Sequence, residues 1–186
     1  VVLSKIAIEL GPVHFYSIFE ALRSSLRRGF RLQVFFYSIH HIMKQMMVAG
    51  VLETGCFDDC VDKISAVLLE DLFGEAAEKK DVKALLVKTK ETRHSKRFDT
   101  FTLLASLVTF ARGKQNGHLV SQYFEGLMGA PINLLQTCSK KEDLDKLKKL
   151  FHCVCTGLRR NDSCTVASAL VYSHRLVKES LETNFD

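Results

Sequence analysis

Apolar residues recur along this chain at steps of three and four, in runs that end at a glycine, a proline or a charged cluster. Gly11-Pro12 closes one helix and opens the next, with proline at the first helical position, where its missing N–H costs nothing. Phe15, Phe19, Leu22 and Leu26 stripe that second helix, and Gly29 suits the left-handed residue that ends it. Leu32, Phe35, Ile39, Ile42 and Met46 carry a third helix to Gly50. A fourth begins at Asp58 or Asp59 and presents Val61, Ile64, Leu68 and Leu72 before Gly74.

The pattern then lapses. Apolar residues thin out over 75–97 and leave no stripe at all within Lys88–Arg97, which predicts a basic, solvated and mobile inter-helix loop over 75–97. Asp99 or Thr100 is expected to cap a helix with Phe101, Leu104, Val108 and Ala111 on one face. After a turn at 113–117, a short helix with Val120, Tyr123, Phe124 and Leu127 should break at Gly129-Ala130-Pro131, before a short piece at Ile132–Thr137. Ser139 opens a helix carrying Leu144, Leu147, Phe151, Val154 and Leu158, which Arg159-Arg160-Asn161 ends. The last helix runs from about Ser163 to Leu181 and offers Val166, Leu170 and Val177 as its apolar face.

Helices joined in pairs by short turns predict an all-α, HEAT/armadillo-like α-solenoid of antiparallel helix pairs, with 1–186 as a single segment. A four-helix bundle with extra helices fits the same pattern. The opening Val1-Val2-Leu3-Ser4-Lys5 reads as the middle of a helix, so the chain is expected to be an internal slice of a longer polypeptide. Such a slice exposes apolar surface at both ends and should self-associate.

Composition agrees with helices. Hydrophobic residues make up 47% of 186, enough for a continuous core, while two prolines and ten glycines leave little for a turn-rich sandwich. No run of 18 apolar residues exists, so no membrane span is expected. The six cysteines lie among apolar or small neighbours and read as reduced thiols of an intracellular protein, which leaves the Asn161-Asp162-Ser163 sequon idle. Formal net charge is +5, which suits an anionic partner without requiring one.

Several segments in order resemble one family. Ser4–Pro12, Leu22–Val34, Tyr37–His41, Leu69–Gly74, Glu78–Val82, Lys88–Glu91, Phe98–Ala105 and, more weakly, Thr156–Asn161 are similar to the small-subunit processome component 20 family, also called the down-regulated-in-metastasis family. The likeness lapses at Gln33–Phe36 and over 112–141. The resemblance implies a nucleolar, non-enzymatic solenoid that holds pre-ribosomal RNA, a small nucleolar ribonucleoprotein and other processome proteins. It implies support of small-subunit ribosomal RNA processing, and assigns no RNA contact to any residue. A protein-only adaptor of the nuclear-transport-receptor type is the alternative from another class, and a helical hydrolase assembled only in the fold is a third.

Candidate sites therefore rest on charge. Arg23, Arg27, Arg28 and Arg31 surround the Gly29 joint, where forked guanidinium groups could grip phosphate or simply complement a helix end. Residues 79–97 hold eight Lys or Arg, among them Lys88, Lys90, Arg93, Lys96 and Arg97, able to order on RNA or to serve as a solubilising loop. Lys140, Lys141, Lys146, Lys148 and Lys149 alternate with Glu142, Asp143 and Asp145 and read as an exposed face with local ion pairs. Cys56, Cys60 and the diverging His40 and His41 do not make a four-ligand zinc set, so no metal is expected. Phosphate-loop, nucleophile-elbow and dinucleotide signatures are missing, so neither a cofactor nor a small-molecule substrate is expected. Met43, Met46 and Met47 read as gap-fillers between helices.

Overall fold

The computed structural model describes residues 2–25, 30–73, 85–110 and 120–183, which hold eight α-helices and no strand. These are α1 (Val2–Leu10), α2 (Phe15–Ser25), α3 (Phe30–Val48), α4 (Val61–Phe73), α5 (Leu85–Leu107), α6 (Gln122–Thr137), α7 (Lys141–Leu158) and α8 (Val166–Thr183). The fold is all-α, as the periodicity requires.

Helices α1, α3, α4, α5, α6 and α7 pack chiefly against a helix two places along. Helix α1 contacts α3, α3 contacts α5, and α5 lies along α7 in the most extensive helix contact among the described residues. The even helices form a second row: Arg23 of α2 reaches Glu70 of α4 at 3.1 Å, α4 packs on α6, and Phe124 of α6 meets Tyr172 of α8 at 5.3 Å between ring centres. Two rows of helices packed in this way are compatible with an α-solenoid. Phe15, Phe19, Phe35, Phe57, Phe101, Phe110 and Phe124 lie between the rows and are essentially inaccessible to water.

Joints follow local chemistry. Gly50, at φ +70°, ends α3: its N–H donates to Met47 O and the Val51 N–H to Met46 O, the paired bonds of a Schellman turn. Pro12 begins a 3₁₀ turn into α2, whereas the Gly29 joint lies outside the described residues. Met43 and Met46 fill the core, but Met47 is partly exposed.

Four expectations need correction. Residues 85–97 are not a loop but the first half of α5, and 75–84 lie outside the described residues. Lys, Arg, Glu and Leu are good helix formers, and no glycine or proline interrupts them, so a helix persists without a long apolar stripe. Asp99 and Thr100 are consequently interior residues rather than caps, and Thr100 Oγ1 donates back to Lys96 O at 2.8 Å. Pro131 does not break α6, which runs through it to Thr137. Proline deprives the carbonyl four residues earlier, Leu127 O, of its helical donor, and the buried Ser65 hydroxyl of α4 donates to that oxygen at 3.1 Å. Finally, Val166, Leu170 and Val177 of α8 face outward, because Tyr172 on another face docks edge-on against Phe110 and Phe124. With Val2, Ile6 and Leu10 of α1, they leave apolar side chains exposed at both ends of the stack. A smaller shift concerns α7, whose N-cap position is Lys140 rather than Ser139.

The carboxyl end of α5 ties the stack together. A helix leaves its last carbonyls without intrahelical donors. Here the Asn161 amide, after α7, donates to Ala105 O at 2.8 Å and Val108 O at 2.6 Å, and the Gly55 N–H donates to Leu107 O at 2.6 Å. Asn161 Oδ1 accepts from the Ser163 N–H and hydroxyl, and Ser163 Oγ accepts from the Phe110 N–H at 2.8 Å. Beside this knot α7 crosses α5 at Gly157, where a β-carbon would meet Thr102 O and stand 2.7 Å from Ala105 Cβ.

Two stability outcomes follow. Gly157→Ala is expected to cost about 2 kcal/mol, despite the roughly 1 kcal/mol that alanine gains over glycine inside a helix. Asn161→Asp keeps the acceptor for Ser163 but loses both amide donors, and should cost at least about 2–3 kcal/mol. Chemical denaturation monitored by circular dichroism measures both; a stabilised Gly157→Ala variant would mean that α5 and α7 do not approach so closely.

Candidate nucleic-acid interface

The structure distributes the nine sequence-derived candidates unevenly. Arg27 and Arg28 lie outside the described residues, as do the side chains of Arg31 on α3 and of Lys88, Lys90 and Arg93 on α5. Three remain, and all are engaged or enclosed. Arg23 bridges Glu70 at 3.1 Å and approaches Glu20 at 4.0 Å. Lys96 pairs with Asp99 at 3.1 Å. Arg97 is only 8% exposed. Among the described residues, no two of the nine come together as a phosphate clamp.

Other cations are free to face a ligand. On α7 the buried positions Leu147, Leu150, Val154 and Gly157 point at the rest of the stack, and Lys141, Asp145, Lys148, His152 and Cys155 lie exposed on the far side. The helix ends into exposed Arg159 and Arg160. Lys148 meets Asp145 at 3.5 Å and Lys146 holds Asp143 at 2.7 Å, but among the described residues no ion pair engages Lys141, Arg159 or Arg160. Lys149 extends over the Phe98 ring of α5, with Nζ 4.7 Å from its centre. The sequence reading treated the lysines of this segment as an ordinary solvated face and read the two arginines only as a helix stop. Their alignment was present in the seven-residue step from Lys141 to Lys148 and the matching step from His152 to Arg159.

The histidine and cysteine candidates have structural work instead. His40 of α3 is 8% exposed, and its Nδ1 lies 3.3 Å from Thr100 Oγ1 of α5. The Thr100 proton is committed to Lys96 O, so Nδ1 carries the proton of this contact. Burial, followed by the nearby Lys96 ammonium, pushes His40 down to about 4; Asp99 opposes this, and Lys44 and His41 add to it. Burial pushes the Cys56 and Cys60 thiols up to about 11, which keeps them protonated and weakly nucleophilic. All six cysteines are free thiols, and no described group of His, Cys, Asp or Glu could hold a metal ion. An open depression of about 240 Å³ where α4, α6 and α7 meet is lined by Phe73, Leu134, Cys138, Lys140, Asp143 and Leu147 among others; its carboxylate is already held by Lys146. None of the described helices is long and apolar enough to cross a membrane.

Comparison with known proteins points to one family. The family model for the U3 small nucleolar RNA-associated protein 20 domain matches residues 1–177. The chain is 31% identical over 184 residues to the U3 small nucleolar RNA-associated protein 20 of Saccharomyces cerevisiae, covering 99% of this chain and 7% of that protein. It is 24% identical over 174 residues to the protein of the same name from Schizosaccharomyces pombe, covering 94% of this chain and 6% of that protein. The chain thus spans a small fraction of the length of these relatives.

His40 gives a pH test with a definite sign. An unfolded histidine takes up a proton near pH 6.5 while the folded one resists until about 4. The unfolded state therefore binds more protons between these values, and stability present above 6.5 falls as the pH drops towards 4. Thermal midpoints across this range should decline, and His40→Gln should flatten the decline. An unchanged pH profile in that variant would contradict the assignment.

Proposed function

We propose, since this chain belongs to the U3 small nucleolar RNA-associated protein 20 family, that it acts in ribosome biogenesis as a non-catalytic scaffold of the small-subunit processome. In this reading it supports processing of the small-subunit ribosomal RNA precursor in the nucleolus, by holding RNA and protein neighbours along a HEAT-like solenoid. The observation that carries the reading is a match to relatives named for association with U3 small nucleolar RNA along 94–99% of the chain. The two-row stack supports it physically, since rows of hairpins present long surfaces rather than enclosed pockets. The described titratable groups support it as well: Asp143 is committed to an ion pair, His40 to the core, and Cys56 and Cys60 are held protonated.

The test is recovery of RNA with the tagged protein from cells. Immunoprecipitates should contain U3 small nucleolar RNA and the small-subunit ribosomal RNA precursor, and nuclease treatment should release much of the associated protein. Partners fully retained after nuclease, with neither RNA enriched, would favour a protein-only adaptor instead.

A further inference from the structure

The outward side of α7 is the most organised charged surface among the described residues. At roughly 100° per residue, Lys141, Lys148, His152 and Arg159 fall within about 40° of one another around the helix axis. At a rise of about 1.5 Å per residue, they form a straight line about 27 Å long. Lys149 and Arg160 flank the line, both exposed. From Lys140 to Arg160 there are seven Lys or Arg and three acids, and one of those acids, Asp143, is already held by Lys146. The row that contains α7 also exposes Lys5, Glu9 and Lys44, whereas the other row exposes Asp62, Glu70 and Glu125 beside Lys63 and Lys178. The α7 row is therefore the more basic of the two.

We infer that this α7 line is a rail for the phosphate backbone of double-helical RNA. The inference rests on the scaffold reading above and gives it a binding surface. Exposed cations in a row, with Lys141, Arg159 and Arg160 in no ion pair among the described residues and Lys148 in a weak exposed one, neutralise successive phosphates and gain affinity by releasing counterions. Lysine and arginine at these positions donate to phosphate oxygen, arginine as a fork, and His152 adds a ring N–H. No Phe, Tyr or Trp side chain is exposed on α7 between Lys141 and Arg160 and the His152 ring stands alone, so the rail has no continuous platform for stacking unpaired bases. A rigid helix surface without such a platform suits duplex RNA, which proteins recognise largely by shape and backbone. The rail is supported from behind: Gly157 draws α7 against α5, and Asn161 anchors the turn that follows Arg159 and Arg160.

Asp145 supplies a signed control. It lies on the line and occupies Lys148 through an exposed pair worth little to stability. Asp145→Asn frees that ammonium, and should tighten RNA binding without moving the unfolding midpoint.

The experiment uses a fluorescein-labelled RNA hairpin and, separately, a single-stranded RNA of the same length, with anisotropy read across a salt series. Reversal to Glu at Lys141, Lys148, Arg159 and Arg160 should weaken hairpin binding by about tenfold or more and lower the salt slope by about 3. Lys63→Glu, on the other row, should leave binding unchanged. Hairpin binding that ignores the α7 reversals, or a preference for the single strand, overturns the rail and leaves the scaffold reading standing. Failure of the unaltered chain to bind either RNA overturns the rail and removes direct RNA contact from the scaffold reading. Should the fourfold variant lose its fold, Asp145→Asn decides by sign, since weaker or unchanged binding there contradicts the rail.

Discussion

The structure depends on how the carboxyl end of α5 satisfies its carbonyl groups. Helix ends always leave such groups over, and a buried one without a donor costs on the order of 1–3 kcal/mol. Here the donors come from two other connections, Gly55 between α3 and α4 and Asn161 between α7 and α8. Asp58 adds an acceptor for the Thr109 N–H at 3.0 Å, and the Ser121 hydroxyl donates to Thr109 O. One helix end thus fixes three connections at once. Because α7 is drawn so close to α5 that only a glycine fits at the crossing, the angle at which α7 presents its outer side is set by backbone packing rather than by charge.

That arrangement separates the inner and outer sides of each row. Inside, aromatic rings and aliphatic chains supply most of the cohesion, with Phe110, Phe124 and Tyr172 forming the contact that holds α8. Outside, charged side chains are free to serve partners because stability asks little of them. Several polar residues taken into the interior answer a specific backbone or ring atom: Ser65 serves the carbonyl orphaned by Pro131, and Thr100 links His40 to α5. Such placements favour a single register between neighbouring hairpins, which long binding surfaces require.

Much of this was legible in the chain. Phe15 and Phe19 of α2, Phe35, Ile39, Ile42 and Met46 of α3, and Val61, Ile64, Leu68 and Leu72 of α4 are buried at the spacing that announced them. The misses have physical causes. Periodicity is silent where a helix has little to bury, so the first half of α5 read as a loop. Proline signals a break only when no outside donor serves the carbonyl it orphans, and Ser65 lies 62 residues from Leu127. On α8 two apolar faces competed, and the sequence does not say which will meet two phenylalanine rings. The role of Asn161 was half visible: Asn-Asp-Ser suggests the local bond to Ser163, but not the carbonyls of α5 more than 50 residues away. Charge density drew attention to Arg23 and to 79–97, whereas exposure and pairing, which only the fold reveals, draw it to α7.

The claim that the α7 side of the stack meets RNA is tested most directly in the assembled particle, by ultraviolet crosslinking and mass spectrometric mapping of RNA-linked peptides. The account predicts crosslinks on peptides spanning Lys141 to Arg160, with the exposed acidic side of α4 and α6 unlabelled. Crosslinks confined to the row of α2, α4, α6 and α8 would contradict it.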